Sequence, residues 1–455
     1  MKLLLRYHFG LICLLHMMIS CQVIDSDTPS PSATYLKYLG YAGEQSAKQV
    51  LVKEDQDRIY ILASKKSSLD INMDVLIMIT DLDGNLTDSL DLDFWKPGTD
   101  TKVSESSTPS IGIDTPGAIK YNDENNTLLY VGTSSRLDNQ NLSYSVIVWS
   151  VIDPGAMSID QIGHIDNFII SGDDTTYYSV TGEDVIIATE PNHIYITGST
   201  TLDDSSPIGG TAEDKQFLIA KVDTKEDSVI WQSTRGFAGE DQAIYIDEFD
   251  DNNLVVIGHT NRNVSSEGTN LIFMSFNSIG TPKEGMEVPI GIGGSNSSTD
   301  IPTDVYRRGD SYVVTGYSIT QNGNNRYPFF SNALCQASGA FNLTKADTVS
   351  VDIGSEASQG SGQAIALTNS GEYVLVGYYD IHESKNSEAM VSILDPDGDS
   401  KGINKHYGLS LGDDAADDVA VLSDGSILVL GTFDFGGGNK QLGLMKLNGN
   451  GDLAQ

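Results

Sequence analysis

Short apolar runs, each closed by a glycine or alanine, recur along the whole chain. They read Ile59-Tyr-Ile-Leu-Ala63, Leu128-Leu-Tyr-Val-Gly132, Ile194-Tyr-Ile-Thr-Gly198 and Leu254-Val-Val-Ile-Gly258. Three more follow: Tyr312-Val-Val-Thr-Gly316, Tyr373-Val-Leu-Val-Gly377 and Ile427-Leu-Val-Leu-Gly431. β-Branched and aromatic residues bounded by turn residues predict strands, not helices. The closing residues lie 54 to 69 positions apart. The stretch from Asp418 to Leu453 shows the unit most clearly. Alternating strand, Asp424-Gly425 turn, strand, glycine-rich break, strand and second glycine turn follow one another. Repeats of this length carrying several short strands predict an all-β fold, a single seven-bladed β-propeller of four-stranded blades over residues 35–455.

Two details refine that expectation. The seventh copy ends before a complete fourth strand, whereas Tyr35-Leu-Lys-Tyr-Leu-Gly-Tyr-Ala-Gly-Glu44 is similar to Trp231-Gln-Ser-Thr-Arg-Gly-Phe-Ala-Gly-Glu240, a fourth strand with its link. The N-terminal segment is therefore expected to join the last blade and close the ring, removing an open edge. The fourth strands of the fourth and fifth blades are predicted at Glu284–Pro289 and Thr348–Ile353.

The first twenty residues have a different pattern. Lys2 and Arg6 precede an apolar run from Phe9 to Ile19, which has the length of a signal-peptide core and is short for a membrane span. The run ends Met18-Ile19-Ser20-Cys21, which resembles the bacterial lipobox, with Met in place of the usual Leu. The resemblance implies a signal peptide over 1–20 and a Cys21 that becomes the acylated N-terminus. Gln22 after it, in place of an aspartate, implies the outer membrane, and Asp25 and Asp27 resemble the acidic export signals of some surface lipoproteins. Residues 21–34, rich in Pro, Ser and Asp, read as a flexible linker.

Composition narrows the partners. The net charge of −36 repels nucleic acid and anionic headgroups. Cys335 is the one thiol beyond the leader region, so no disulfide framework or thiolate metal site is expected; it reads as a small buried side chain.

The repeats are similar to the roughly sixty-residue bacterial propeller repeat called the delta-sixty repeat. The carrying motifs are Asp417-Asp-Val-Ala-Val-Leu-Ser-Asp-Gly425, Ile427–Gly431 and Leu444-Met-Lys-Leu-Asn-Gly-Asn-Gly451. That resemblance implies a propeller, often outside the cytoplasm, and no particular activity.

Candidate chemistry is sparse. First strands carry Gln49, Asp184, Gln242, Asp304, Gln363 and Asp418, which in a propeller line the channel and are candidates for a cation or small polar ligand. Two turns, Asp81-Leu-Asp83-Gly-Asn85 and Asp395-Pro-Asp397-Gly-Asp399, place oxygens at alternate positions around a glycine, as calcium loops do, without the closing glutamate of an EF-hand. The competing role for both is a hairpin turn. Trp95 is the candidate exposed sugar platform; Trp149 and Trp231 are expected to pack. Nucleophile elbow, zinc-protease and phosphate-loop motifs are absent from the sequence. The expected function is an envelope lipoprotein acting as a binding or scaffold module for a glycan, peptide or outer-membrane protein, with the membrane as partner through the anchor, no nucleic acid, and no cofactor unless the acidic turns hold calcium. The alternative is an extracytoplasmic hydrolase or lyase acting on glycans at the channel mouth. Contacts are expected on the face carrying the long loops Pro97–Pro116, Thr200–Gln216 and Ser318–Pro328, opposite the tight turns.

Overall fold

The computed structural model describes residues 33–40, 43–67, 73–94, 113–137, 143–171, 174–201, 215–237, 239–250, 253–261, 268–294, 298–319, 325–350, 359–380, 386–409 and 412–453. Cys21, the linker, Trp95 and most of the three long loops lie outside them. The described residues build seven four-stranded antiparallel sheets, each strand pairing with the next in sequence. The first blade comprises Gly43–Lys53, Arg58–Ser67, Met73–Thr80 and Leu86–Leu92. The second comprises Asp114–Asn122, Thr127–Leu137, Ser143–Asp153 and Ser158–Ile165, and the third Val180–Ile187, His193–Thr200, Gln216–Asp223 and Ser228–Arg235. The fourth comprises Asp241–Asp250, Asn253–Thr260, Asn270–Phe276 and Val288–Ile290, and the fifth Thr299–Arg308, Ser311–Ile319, Arg326–Cys335 and Phe341–Thr348. Gly360–Leu367, Tyr373–Asp380, Ser387–Leu394 and Ser400–Tyr407 form the sixth.

The seventh blade is made from both ends of the chain. Ala415–Val421, Ile427–Asp434 and Lys440–Leu447 are completed by Tyr35–Leu39, with Tyr35 opposite Lys446 and Leu39 opposite Leu442. The expected closure is present, and for the expected reason: the outer edge of the last blade would otherwise offer a row of unpaired backbone groups.

Three local readings need correction. The fifth blade's outer strand is Phe341–Thr348 where Thr348–Ile353 was expected, of which residues 351–353 lie outside the described ones; an outer strand is largely solvated and its apolar signal is weak. The fourth blade's outer strand shortens to Val288–Ile290, since Pro282 bridges back to Phe276 and Gly285 turns with φ +74°. An additional hairpin, Asn167–Ser171 with Asp174–Tyr178, was not expected between the second and third blades.

The core lies between blades as seven face-to-face apolar layers. One of them stacks Leu218 and Ala220 of the third blade against Val131, Ile147 and Trp149 of the second. Trp149 is buried, and the Trp231 ring lies tilted against Tyr195 with centroids 6.0 Å apart, so both pack as expected. Cys335 is buried, which pushes its thiol up to about 11.

The marker glycines acquire a physical cause. Every first strand contains a β-bulge, and the residue just before the bulge pairs with the marker: Gly182 with Gly198, Ala243 with Gly258, Pro302 with Gly316, Gly362 with Gly377. The bulge drives the preceding backbone carbonyl toward the marker. A Cβ on Gly198 would lie 1.7 Å from the Thr181 carbonyl oxygen, and one on Gly377 1.9 Å from that of Ser361.

The candidate calcium turns are hairpin turns sustained by a side chain. Asp81 Oδ1 accepts from Asn85 N–H at 2.7 Å, and Asp395 Oδ1 accepts from the N–H groups of Asp397 (2.9 Å) and Asp399 (2.8 Å). Asn277 and Asn448 make the same bonds in their blades, to Thr281 N–H (2.8 Å) and Asp452 N–H (3.0 Å). An amide oxygen thus does the same work as a carboxylate, as expected of an Asx turn. The glycine of each turn receives a side chain from the preceding blade. A Cβ on Gly84 would meet the Tyr35 ring at 2.7 Å, and one on Gly280 the Trp231 ring at 2.4 Å. Asp83 and Asn85 sit on this surface, where Lys37 donates to Asn85 Oδ1 at 2.6 Å.

Candidate binding site in the central channel

The seven bulges converge on the propeller axis. The skipped residues are Lys48, Gly117, Glu183, Ile244, Thr303, Gln363 and Asp417, and the residues after them are Gln49, Ala118, Asp184, Tyr245, Asp304, Ala364 and Asp418. All fourteen line one polar cavity of about 180 Å³, together with Lys120. A bulge re-aims the side chains on either side of it, and seven in register make a ring from a repeat that otherwise hides its inner strands.

The sequence candidates are placed unevenly. Gln49, Asp184, Asp304 and Asp418 share one register position, about half-way along their strands. Gln363 is itself a bulge residue and donates to Ser361 Oγ at 3.2 Å. Gln242 precedes the fourth bulge, opposite His259, and reaches the cavity only through Glu183, to whose Oε1 it donates at 3.0 Å. Glu183, Asp417 and Lys120 were not singled out from the sequence. The adjacency Asp417-Asp418 was visible there, but not that a bulge turns both into the channel.

The four in-register side chains latch blade to blade. Asp184 Oδ2 accepts from Ile246 N–H at 3.1 Å, Asp304 Oδ2 from Ile365 N–H at 2.9 Å, Asp418 Oδ2 from Val50 N–H at 2.6 Å, and Gln49 Oε1 from Ile119 N–H at 2.8 Å. The Asp418 bond crosses the junction between the two ends of the chain. Asp417 Oδ2 accepts from Thr432 Oγ1 at 2.6 Å, and that hydroxyl oxygen in turn accepts from Ala47 N–H at 3.0 Å.

One ammonium serves several carboxylates. Lys120 Nζ lies 3.5 Å from Asp184 Oδ1, and attraction to Asp184 first, then to Asp304 and Asp418, holds its pKa up despite burial. The acids are pushed the other way. Burial raises Glu183, Asp184 and Asp304, and lifts Asp417 to about 7. Burial followed by repulsion from Asp304 lifts Asp418 to about 8. A crowded, partly dehydrated carboxylate cluster cannot ionise fully. Five acids face two lysines, Lys48 and Lys120, around this cavity.

No protein-family model matches the chain, and no curated protein is similar to it. Solved structures similar to it have low identity. The β-propeller domain of the Trilobed protease from Pyrococcus furiosus, reported to have an open velcro topology, is 10% identical with a TM-score of 0.45, over 91% of this chain and all of that one. Acylaminoacyl peptidase from Pyrococcus horikoshii is 11% identical with a TM-score of 0.46, over 90% of this chain and 53% of that one, so the chain spans about half the peptidase. The polysaccharide lyase Uly1 is 10% identical with a TM-score of 0.46, over 90% of this chain and 91% of that one. The likeness goes no further than the propeller fold.

Proposed function

We propose that the protein is a lipid-anchored binding module of the cell envelope, tethered through Cys21, whose channel receives a cationic group of a peptide or protein partner. The observation that carries this reading is the imbalance in the cavity: five carboxylates against two ammonium groups, in a space of about 180 Å³ that stays open to solvent. An entering ammonium or guanidinium supplies the charge that Lys120 alone does not, and it favours the ionised forms of Asp304 and Asp418. The latching amides hold these carboxylates in place beforehand, so little ordering is needed on binding.

Titration calorimetry with an arginine- or lysine-containing capped dipeptide at pH 7 tests it. Binding should release protons, visible as a dependence of the heat on buffer ionisation enthalpy. Asp304→Asn and Asp418→Asn keep an oxygen for the latch and should weaken binding at least tenfold. Equal affinity in both variants, or no binding by the wild type, would overturn the channel reading. Release of reducing ends or unsaturated sugars from envelope polysaccharide would favour the glycan-active enzyme instead.

A further inference from the structure

A second cavity, of about 310 Å³, lies on the tight-turn face between the second and third blades. Its origin can be traced residue by residue. At two other blade junctions an aromatic ring from a fourth strand covers the neighbouring turn: Trp231 over Gly280 and Tyr35 over Gly84. Trp231 pairs with Lys221 and Tyr35 with Lys446, equivalent places in their third strands. In the second blade the same place is Val151, and its partner is Gln161. The facing turn, Asp223 to Asp227, has no glycine to receive a ring; it is built on Asp223 Oδ1, which accepts from Lys225 N–H at 2.9 Å. In the first, fifth and sixth blades the same place holds Asp88, Lys345 and Ile403; at the second blade Gln161 meets a turn without glycine, and the cleft opens beside it.

The gap has a definite chemistry. Its floor is apolar, formed by Leu129, Val151, Ile187 and Ile194, with Ile187 38% exposed. Its rim is amide: Asn122, Asn125, Gln161 and Asn192. Among the described residues, the side-chain amides of Asn125, Gln161 and Asn192 have no protein partner. Asp160 and Lys225 add one charge of each sign, so the rim is near neutral, unlike the channel and unlike the chain as a whole. Side-chain amides offer a donor and an acceptor a short distance apart, which matches pairs of adjacent hydroxyls; an aliphatic floor matches the C–H face of a sugar ring. The volume falls at the lower end of the range for small-molecule pockets, roughly 300–1,000 Å³.

We infer that this cleft is a binding site for one or two units of a neutral saccharide, separate from the channel and independent of the reading given for it. The probes are maltose, cellobiose, lactose and N,N′-diacetylchitobiose, followed by saturation-transfer NMR and calorimetry on the folded chain. At least one should bind, and Gln161→Trp, which puts into the cleft a ring like those of Trp231 and Tyr35 at two other junctions, should abolish that binding. The double variant Asn125→Ala, Asn192→Ala tests the rim if the tryptophan variant fails to fold; it should weaken binding at least tenfold with an unchanged melting curve. Asp418→Asn should leave saccharide binding intact, which separates this site from the channel. The inference is overturned if none of the four sugars binds the wild type, or if binding survives both cleft changes.

Discussion

Replacing a marker glycine should reveal what the bulges are for. Consider Gly198→Ala. The new Cβ would fall 1.7 Å from the Thr181 carbonyl oxygen and 2.7 Å from its carbon. Favourable carbon–oxygen contacts between strands sit near about 3.3 Å, so the backbone must withdraw by about 1.6 Å. The obstruction is main chain held by strand pairing, so no side-chain rotation relieves it. Overpacking alone costs about 1–3 kcal/mol, and this case belongs at the upper end. The cheapest escape is to iron out the bulge between Gly182 and Asp184. That shifts the following residues by one and turns each of their side chains to the other face, so Asp184 would leave Ile246 N–H. Losing a hydrogen bond to an ionisable group adds about 1.5 kcal/mol or more. The total expected is about 4 kcal/mol.

That cost moves a melting temperature only modestly for a chain of this size. At about 2.1 cal/mol/K per residue, a propeller of roughly 420 residues has an unfolding entropy of about 0.9 kcal/mol/K, so 4 kcal/mol moves the midpoint by only about 4 °C. Urea titration followed by tryptophan fluorescence is the better assay, since Trp149 and Trp231 lie in the two junctions that flank this blade. The control is built into the chain. The first blade already has Ala63 at the marker position, opposite Ala47, so Ala63→Gly should cost no more than about 1 kcal/mol, the backbone penalty of glycine. If Gly198→Ala costs no more than Ala63→Gly, the bulge is not the reason for the glycine and the argument is wrong.

Further outcomes are expected. Asp114, with a pKa near 7, should be neutral in the folded protein and ionised in the unfolded chain above pH 4; raising the pH from 4 to 7 therefore favours unfolding, and the advantage of Asp114→Asn over wild type should grow across that window by up to about 4 kcal/mol and then level off. A denaturation series from pH 4 to 8.5 checks this, and an advantage that shrinks with pH would contradict it. Deleting residues 33–39 should expose the edge from Leu442 to Lys446 and give concentration-dependent association in size exclusion, reversed by adding the missing strand as a peptide. Cys21→Ser should move the protein from the membrane to the soluble fraction, because stable attachment needs the acyl chains; retention after a high-salt wash would refute the anchor.

The sequence revealed what depends on residue type and concealed what depends on register. The small residue ending each second strand was legible because no larger side chain fits there, and ring closure was legible because Tyr35–Glu44 repeats a fourth strand together with its link. In the matching link of the third blade, Asp241 Oδ2 accepts from Phe237 N–H at 2.6 Å. The bulges were not legible, because an extra residue in a strand leaves the apolar pattern on both sides of it intact. Gln242 and Gln363 were therefore grouped with Asp184, although they sit at other positions relative to the bulge. The cleft beside Gln161 was hidden for the same reason: only the pairing shows that this glutamine stands where Trp231 and Tyr35 stand in other blades. The acidic turns have two readings in the sequence because an Asx turn and a calcium loop share their first residues; the structure shows the Asx-turn bonds.

The order of the latching residues around the ring carries one more consequence. Counting from the first blade, the register position after the bulge holds Gln49, Ala118, Asp184, Tyr245, Asp304, Ala364 and Asp418. Carboxylate or amide latches stand in alternate blades, and the blades between carry alanine or tyrosine. A narrow channel accommodates few carboxylates, since each added one raises the pKa of the rest. Alternation keeps the three latching carboxylates at least a blade apart, although Glu183 and Asp417 stand beside two of them. Seven is odd, however, so two latching blades must be neighbours somewhere, and that place is the junction of the seventh and first blades. There one of the two is the neutral Gln49, which makes the same kind of bond to Ile119 N–H without adding a charge beside Asp418. Lys120 enters from the second blade, one of those without a latching side chain, and faces the three carboxylates that remain. The latching side chains thus leave three carboxylates facing Lys120, and the cation binding proposed for the channel rests on that excess.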